Sequence, residues 1–349
     1  MKKYLVSFLI PVLLVASGWF LNNFYNKPQT DSKNPIVQIK PRPLDKYTIE
    51  NLNTLNVLPS EINIGETLNG LPAQTGGGDF VSSLFFFSFD PTLAGKDAKK
   101  VTGLINIPSG KGPFPVVVML RGYVDQKLYK TGDGTKRAGE YFAKNGFITI
   151  APDFLGYAGS DKESGNIFES RFQTYTTALT VLSSIKEPSF AEATEGKWDN
   201  KNIFIWAHSN GGQIALTVLE TTGKNYPTVL WAPVSKPFPY SILYYTDGSD
   251  DGGKLIRREL AKFEDQYDTD LYSITQYFDR IKAPIQLHQG TYDDAVPKDW
   301  SDTLIKTLKN LDLTPNYFVY PGADHNLQPS WNTVVTRDLM FFQKNTIIN

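Results

Sequence analysis

Short apolar runs that alternate with helix-forming segments are the feature that most restricts the fold of this 349-residue chain. Residues 115–120 (PVVVML) are apolar throughout, which is typical of a strand covered on both faces of a sheet. Strands that alternate with helices predict βαβ units with right-handed crossovers and a mostly parallel sheet. We predict strands at 115–120, 147–151, 202–207, 228–231, 284–288 and 316–320, and helices at 134–145, 166–186, 211–222, 298–310 and 329–343.

Three segments depart from this alternation. Residues 80–89 and 100–107 are β-like and are separated by Pro91, Gly95 and charged residues, which predicts an antiparallel pair. Residues 187–200 are polar and precede a strand, so a surface loop is predicted there. Residues 233–280 are too many for a loop without structure of its own. We predict a small helical lid, and an ordinary surface excursion is the alternative.

The N-terminus has the pattern of an export signal. Lys2 and Lys3 precede an apolar run at residues 4–21, and Trp19 and Phe20 lie where an interfacial aromatic belt would be. We therefore predict a signal peptide or an uncleaved membrane anchor at 1–25, a polar, proline-containing tether at 26–46, and the folded domain at 47–349. Either reading of the first segment places the domain outside the cytoplasm, secreted or membrane-anchored.

Composition disfavours several classes of function. Lys and Arg number 35 against 36 Asp and Glu, so no basic excess favours nucleic acid as a partner. The chain has no cysteine, which excludes disulfides, thiolate metal sites and a cysteine nucleophile, and its three histidines disfavour a histidine-rich metal site. We expect no metal and no cofactor, and the sequence does not indicate an oligomeric state.

The strongest chemical motif is the segment AHSNGG at residues 207–212. It follows a predicted strand and opens a predicted helix, which is the setting of a nucleophile elbow. Ser209 would sit on the sharp turn with its hydroxyl above the sheet, while Ala207, Gly211 and Gly212 let strand and helix approach. Backbone N–H groups at the start of the helix can stabilise an oxyanion.

A serine hydroxyl needs a neighbouring base to act as a nucleophile. With an elbow of this kind, the chain order is serine, then an acid, then histidine. His325 fits, because it lies in a loop after the predicted strand 316–320, at the carboxyl edge of the sheet. His288 ends a predicted strand, and we expect it to be buried or to support the next loop. His208 is expected to point away from the nucleophile.

The acid that orients the base should follow the strand at 284–288. Asp293 and Asp294 are the candidates, and Asp293 is favoured as the first acid of the turn. The alternative for Asp294 is that it caps the helix starting near Lys298. A second oxyanion donor is expected after residues 115–120, from the backbone there or from the Tyr123 hydroxyl. A packing tyrosine is the alternative.

Together, five segments make the chain resemble the α/β-hydrolase superfamily, in particular prolyl oligopeptidase catalytic domains and dienelactone-hydrolase-like esterases. They are PVVVMLRGY, FITIAPDFLGYAGS, AHSNGG, HQGTYDDAVP and YPGADHNL, and they occur in the right order within residues 80–345. The resemblance implies an α/β-hydrolase fold with a mostly parallel central sheet, helices on both faces and a small helical lid insertion.

The resemblance also implies residue roles. Ser209, Asp293 and His325 would form a catalytic triad, with the backbone amide of Asn210 and the Tyr123 hydroxyl as the oxyanion hole. Asp153, in the segment PDFLGY, resembles a structural aspartate of the superfamily.

The expected activity is cleavage of an ester or short peptide bond. Too few residues precede residue 80 for the β-propeller of true prolyl oligopeptidases. The alternatives are a prolyl oligopeptidase-type peptidase acting on short peptides, and a catalytically silent, surface-anchored binding protein with the same fold.

Overall fold

The computed structural model describes residues 42–55, 57–69, 79–246 and 248–348. The predicted signal peptide or anchor at 1–25 and residues 26–41 of the predicted tether lie outside the described residues. Leu44, near the end of that tether, is buried in the folded unit. Among the described residues, no helix combines the length and the apolar character needed to cross a bilayer.

In the described part of the chain, nine strands form one sheet in the order β1-β2-β3-β5-β4-β6-β7-β8-β9. The three strands β1 to β3 run antiparallel to their neighbours, and every pair from β5–β4 to β8–β9 is parallel. The strands are β1 Asn63–Asn69, β2 Phe80–Phe89, β3 Lys99–Pro108, β4 Phe114–Leu120, β5 Ile148–Pro152, β6 Trp198–His208, β7 Thr228–Trp231, β8 Ile285–Gly290 and β9 Asn316–Tyr320.

The antiparallel pair predicted at 80–89 and 100–107 is confirmed as β2 and β3, with Phe80 opposite Pro108 and Phe89 opposite Lys99. Strand β3 also pairs antiparallel with β5, where Gly103 faces Pro152. This pairing continues the parallel part of the sheet into an antiparallel edge.

Helices cover both faces of the sheet, as predicted. The helices in the described part of the chain are α1 Ile49–Thr54, α2 Lys136–Lys144, α3 Ile167–Ser184, α4 Pro188–Ala193, α5 Asn210–Thr222, α6 Tyr240–Leu243, α7 Lys254–Glu264, α8 Lys298–Asn310 and α9 Trp331–Asn345. Val116 and Val118 of β4 pack in the core on the side of α3, α5 and α8, whereas Val117 and Met119 pack on the side of α2 and α9. The unbroken apolar run at 115–120 therefore reflects a strand buried on both faces.

The surface loop predicted at 187–200 is wrong. The segment forms the short helix α4, with Pro188 in its first turn, and β6 begins at Trp198. Phe190 is fully buried, with its ring centroid 5.7 Å from that of Trp198. Two aromatic side chains buried against each other keep this polar segment folded onto the domain.

The segment 233–280 has structure of its own, as expected: α6, α7 and three 3₁₀ turns. Phe263 of α7 and Tyr272 pack against Phe172 of α3, with ring centroids 6.3 Å and 5.0 Å from it. The segment is therefore anchored on α3 by aromatic contacts. Its role as a lid stays a prediction.

Replacing Phe172 by alanine should lower the free energy of unfolding by about 3–5 kcal/mol, because the side chain is fully buried and leaves a cavity. Urea unfolding of both proteins measures the difference. Phe86, 39% exposed on β2, provides the matched control, and its alanine variant should lose about 1 kcal/mol or less. Equal losses in the two variants would contradict the assigned burial of Phe172.

Candidate active site

Ser209 occupies a strained turn between β6 and α5. Its φ of 57° and ψ of −121° lie in a region that residues with a side chain rarely adopt. Three backbone hydrogen bonds of 2.9 Å hold the turn: the Ser209 N–H donates to the Trp231 carbonyl, and the Ser209 carbonyl accepts from Gly212 and Val234. The neighbouring strand and the helix thus impose the conformation that presents the serine side chain.

The residues around the turn must be small because neighbouring atoms leave no room for a Cβ. A Cβ on Gly211 would lie 2.0 Å from the Leu120 carbonyl oxygen, and one on Gly212 would lie 2.4 Å from the Cβ of Pro233. On the opposite side, a Cβ on Gly122 would lie 2.8 Å from the Cβ of Ser209. The loop after β4 therefore lies directly against the serine, and its role as the source of the second oxyanion donor stays a prediction.

His325 and Asp293 form a hydrogen-bonded pair. His325 Nδ1 is 3.0 Å from both carboxylate oxygens of Asp293. Burial raises the pKa of Asp293, but hydrogen bonds from His325, the Val296 N–H and Gln289 outweigh it and leave the pKa below its usual value. Asp293 is therefore ionised at neutral pH. It keeps a proton on His325 Nδ1 and leaves Nε2 free to accept one.

Of the two candidate acids, Asp293 is the one that contacts the histidine. The side chain of Asp294 is exposed, and helix α8 begins after Pro297 without a side-chain cap. The capping alternative therefore has no support at this helix. Gln289, which the sequence did not single out, donates to Asp293 Oδ2 at 3.0 Å and accepts from the Ser301 hydroxyl at 2.7 Å.

Ser209, Asp293 and His325 follow β6, β8 and β9 and meet at the carboxyl edge of the sheet. His325 lies against the residue before the serine, since its carbonyl oxygen is 3.0 Å from His208 Nε2. In the described residues, no hydrogen bond joins the Ser209 hydroxyl to His325. The catalytic role of the three residues therefore stays a prediction.

Two backbone N–H groups close in sequence to the contact between Gly122 and Ser209 have no acceptor among the described residues. Asn210 is the first residue of α5, and Tyr123 follows Gly122; neither N–H has a hydrogen-bond partner among the described residues. The Tyr123 side chain is 77% exposed. Of the two alternatives for the second donor, the geometry favours the backbone N–H of Tyr123 over its hydroxyl.

A buried arginine fixes the loop that carries Tyr123. Arg121 is 4% exposed and donates to the carbonyls of Gly122 (2.9 Å) and Asp153 (2.8 Å). Its guanidinium also lies 3.9 Å from the ring centroid of Tyr157. Asp153 is fully buried and accepts hydrogen bonds from three hydroxyl groups, which agrees with a structural aspartate.

The other two histidines have different surroundings. His288 is fully buried, as expected, between the Tyr320 hydroxyl at 2.7 Å and Asp338 at 2.8 Å. His208 was expected to point away from the nucleophile. Its ring lies against His325, with the ring centroids 4.6 Å apart, and this contact was not predicted. The sequence could not show this contact, because the hydrogen-bond partner of His208 is a backbone carbonyl distant in sequence.

Comparison with known proteins identifies relatives of this chain. Residues 101–330 match the model of the Dienelactone hydrolase family. No curated protein matches the chain.

Three solved structures illustrate the fold, and all are below 25% identity. The acetyl xylan esterase from Paenibacillus sp. R4 has 17% identity and a TM-score of 0.60, over 84% of this chain and 91% of that one. Acetyl Xylan Esterase 1 from Thermoanaerobacterium sp. JW/SL YS485 has 15% identity and a TM-score of 0.58, over 88% and 95%. The acylaminoacyl peptidase of Pyrococcus horikoshii has 18% identity and a TM-score of 0.57, over 78% of this chain and 43% of that one.

These structures confirm the predicted α/β-hydrolase fold. The chain spans most of the esterases but less than half the length of the peptidases it matches, including 46% of a Mycobacterium tuberculosis puromycin-hydrolyzing peptidase.

Replacing Gly211 by alanine should lower the free energy of unfolding by about 1–3 kcal/mol or more, because the new Cβ would overlap the Leu120 carbonyl. Gly165 is the matched control, because a Cβ added there would meet no atom within 4 Å and its φ is not positive. Its alanine variant should change stability by less than about 1 kcal/mol. Chemical denaturation measures both, and an undisturbed Gly211→Ala protein would contradict the close approach of α5 and β4.

Proposed function

The chain belongs to the dienelactone hydrolase family, and we propose that it is a serine hydrolase that cleaves an ester or short peptide bond through an acyl-enzyme. The observation that carries the proposal is the strained Ser209 turn beside the hydrogen-bonded pair His325–Asp293. A serine on such a turn needs a nearby base with a free nitrogen, and His325 Nε2 is that nitrogen.

In the proposed reaction, Ser209 Oγ attacks the substrate carbonyl while His325 Nε2 takes the hydroxyl proton. His325 then gives this proton to the leaving group, which departs. Water attacks the acyl-enzyme in the same way, with His325 again taking the proton and returning it to Ser209. Asp293 holds His325 in the Nδ1–H tautomer and stabilises its charged form. The N–H groups of Asn210 and Tyr123 stabilise the oxyanion, and one such donor typically contributes about 100–1,000-fold to the rate.

An ester or a short peptide fits the proposal better than a long peptide. The acetyl xylan esterases are spanned almost completely by this chain, whereas the peptidases are more than twice as long as the matched part. A substrate panel identifies the acyl and leaving groups.

The proposal includes the compartment in which the protein acts, which is outside the cytoplasm. The positive residues Lys2 and Lys3 before the apolar run at 4–21 support export, as a secreted or membrane-anchored protein. Fractionation of expressing cells tests it. Protein found only in the cytoplasmic fraction would contradict export and leave the hydrolase chemistry untouched.

Ser209→Ala should remove labelling of the full chain by a fluorophosphonate probe and abolish turnover of a panel of short acyl esters and peptidyl-proline amides. The panel member that the wild type prefers distinguishes esterase from peptidase. Ser183→Ala is the matched control, because that hydroxyl bonds only the Thr180 carbonyl on α3. Activity retained in a folded Ser209→Ala protein would overturn the mechanism. A wild type that neither labels nor turns over the panel would favour the silent binding protein.

Asp293→Asn should lower kcat on the order of 1,000–10,000-fold, because an amide cannot hold the tautomer of His325 that leaves Nε2 as a base. Asp294→Asn, at the neighbouring exposed acid, should leave kcat near the wild-type value. Steady-state kinetics on the preferred panel substrate measure both variants. The reverse order of effects would transfer the role to Asp294.

A further inference from the structure

His208 precedes the proposed nucleophile in the chain and contacts the proposed base, without belonging to the triad. It is the last residue of β6, directly before Ser209, and is 8% exposed. Its Nε2 is 3.0 Å from the His325 carbonyl oxygen, and its ring centroid is 4.6 Å from that of His325 at an interplanar angle of 36°. One side chain thus contacts both the backbone and the imidazole of the proposed base.

The hydrogen bond determines where the proton of His208 lies. A carbonyl oxygen only accepts hydrogen bonds, so His208 Nε2 must carry the hydrogen. In the neutral ring, Nδ1 is then the unprotonated nitrogen. The contact with His325 O is therefore compatible with one neutral tautomer of His208 and incompatible with the other.

The environment also keeps His208 uncharged. Burial, reinforced by the proximity of His325, lowers the pKa of His208 to about 4. A cationic ring at this position would oppose the positive charge that His325 must take up when it accepts the serine proton. A neutral ring permits that charge and still donates its hydrogen bond.

We propose that His208 is a positioning residue for His325: its Nε2–H holds the carbonyl of the base, and its ring supports the imidazole in the orientation that reaches Ser209. This inference rests on the proposed function, because it assigns His325 as the base. The backbone anchor fixes the His325 loop, and the ring contact restricts rotation of the side chain. Misplacing a catalytic group by about 1 Å can cost about 100-fold in rate.

The groups around His208 come from several elements. Trp206 of β6 and Trp231 of β7 flank the ring, with centroids 6.3 Å and 6.4 Å away. Across a cavity of about 470 Å³ lie the loop before α2 and the first turns of that helix. The titratable and charged groups in this surrounding are His325, Asp293 and Asp324 at the carboxyl edge, and Asp133, Lys136, Arg137 and Glu140 across the cavity.

Nitrogen-15 NMR of the histidine rings tests the proton position directly in the full chain. Three histidines give three sets of ring signals, and His208→Gln identifies its own set by deletion. The expected result is a protonated Nε2 and a bare Nδ1 in His208, with no titration between pH 5 and pH 8. A proton on Nδ1, or a titration of His208 within that range, would overturn the proposal. This measurement needs no substrate, so a failure of the proposed function does not affect it.

Two substitutions of His208 separate the effect of its hydrogen bond from the effect of its aromatic ring. His208→Phe keeps an aromatic ring but removes the donor, whereas the amide of His208→Gln keeps an N–H at similar reach. We expect kcat to fall about 10–100-fold in the phenylalanine variant with KM unchanged, and to fall by less in the glutamine variant, which keeps the donor but loses the ring contact. A role in stability alone would lower the melting temperature without this kcat–KM split.

The outcomes remain distinct from those of the nucleophile test. An unaltered kcat in His208→Phe, or an equal loss in both variants, would overturn the positioning role while labelling of Ser209 by fluorophosphonate persists. Should His208→Phe fail to fold, the NMR tautomer of the wild type and the kinetics of His208→Gln still decide. Absent labelling of the wild type would instead contradict the proposed function.

Discussion

The close approach of helix α5 to strand β4 is the constraint on which the site depends. At Gly211, the Leu120 carbonyl oxygen occupies the space that a Cβ would need. At Gly212, the side chain of Pro233 occupies that space. With both glycines in place, the chain can turn within one residue from β6 into α5, and that residue is Ser209. Hydrogen bonds to Trp231 and from Val234 then hold the positive φ, so the strain at Ser209 is balanced by the sheet around it.

The opposite half of the site depends on a second close approach. A Cβ on Gly290 would lie 2.2 Å from the Ala323 carbonyl oxygen, so a side chain at the end of β8 would push the loop after β9 away. Backbone hydrogen bonds from Thr291 to Tyr320 (3.1 Å) and from Tyr292 to Ala323 (2.9 Å) join the two loops. Because one loop carries Asp293 and the other His325, their hydrogen bond is set by backbone packing as well as by side-chain attraction.

Much of this architecture could be predicted from local sequence. The strands at 228–231 and 316–320 and the helix at 298–310 have the predicted bounds, because apolar runs and amphipathic periodicity report directly on burial. Arg121, His208 and Gln289 were not assigned roles, because each acts through partners that are distant in sequence or through backbone carbonyls. Helix α4 was missed because six residues carry too little periodicity, and it is the contact of Phe190 with Trp198 that holds it.

The segment 233–280 is buried against the domain on one side and exposes aromatic side chains on another. Phe238 and Phe263 are buried against α3, which fixes the segment to the domain. Tyr240 and Tyr244 of the α6 region remain partly exposed, and Tyr244 contacts Trp300 of α8 with ring centroids 4.8 Å apart. Tyr245 also contacts Trp300, with ring centroids 6.2 Å apart, so three tyrosines of this region are grouped around one side chain of α8. The exposed tyrosines and the anchored phenylalanines share no side chain, so substitution of the tyrosines leaves the contacts with α3 in place.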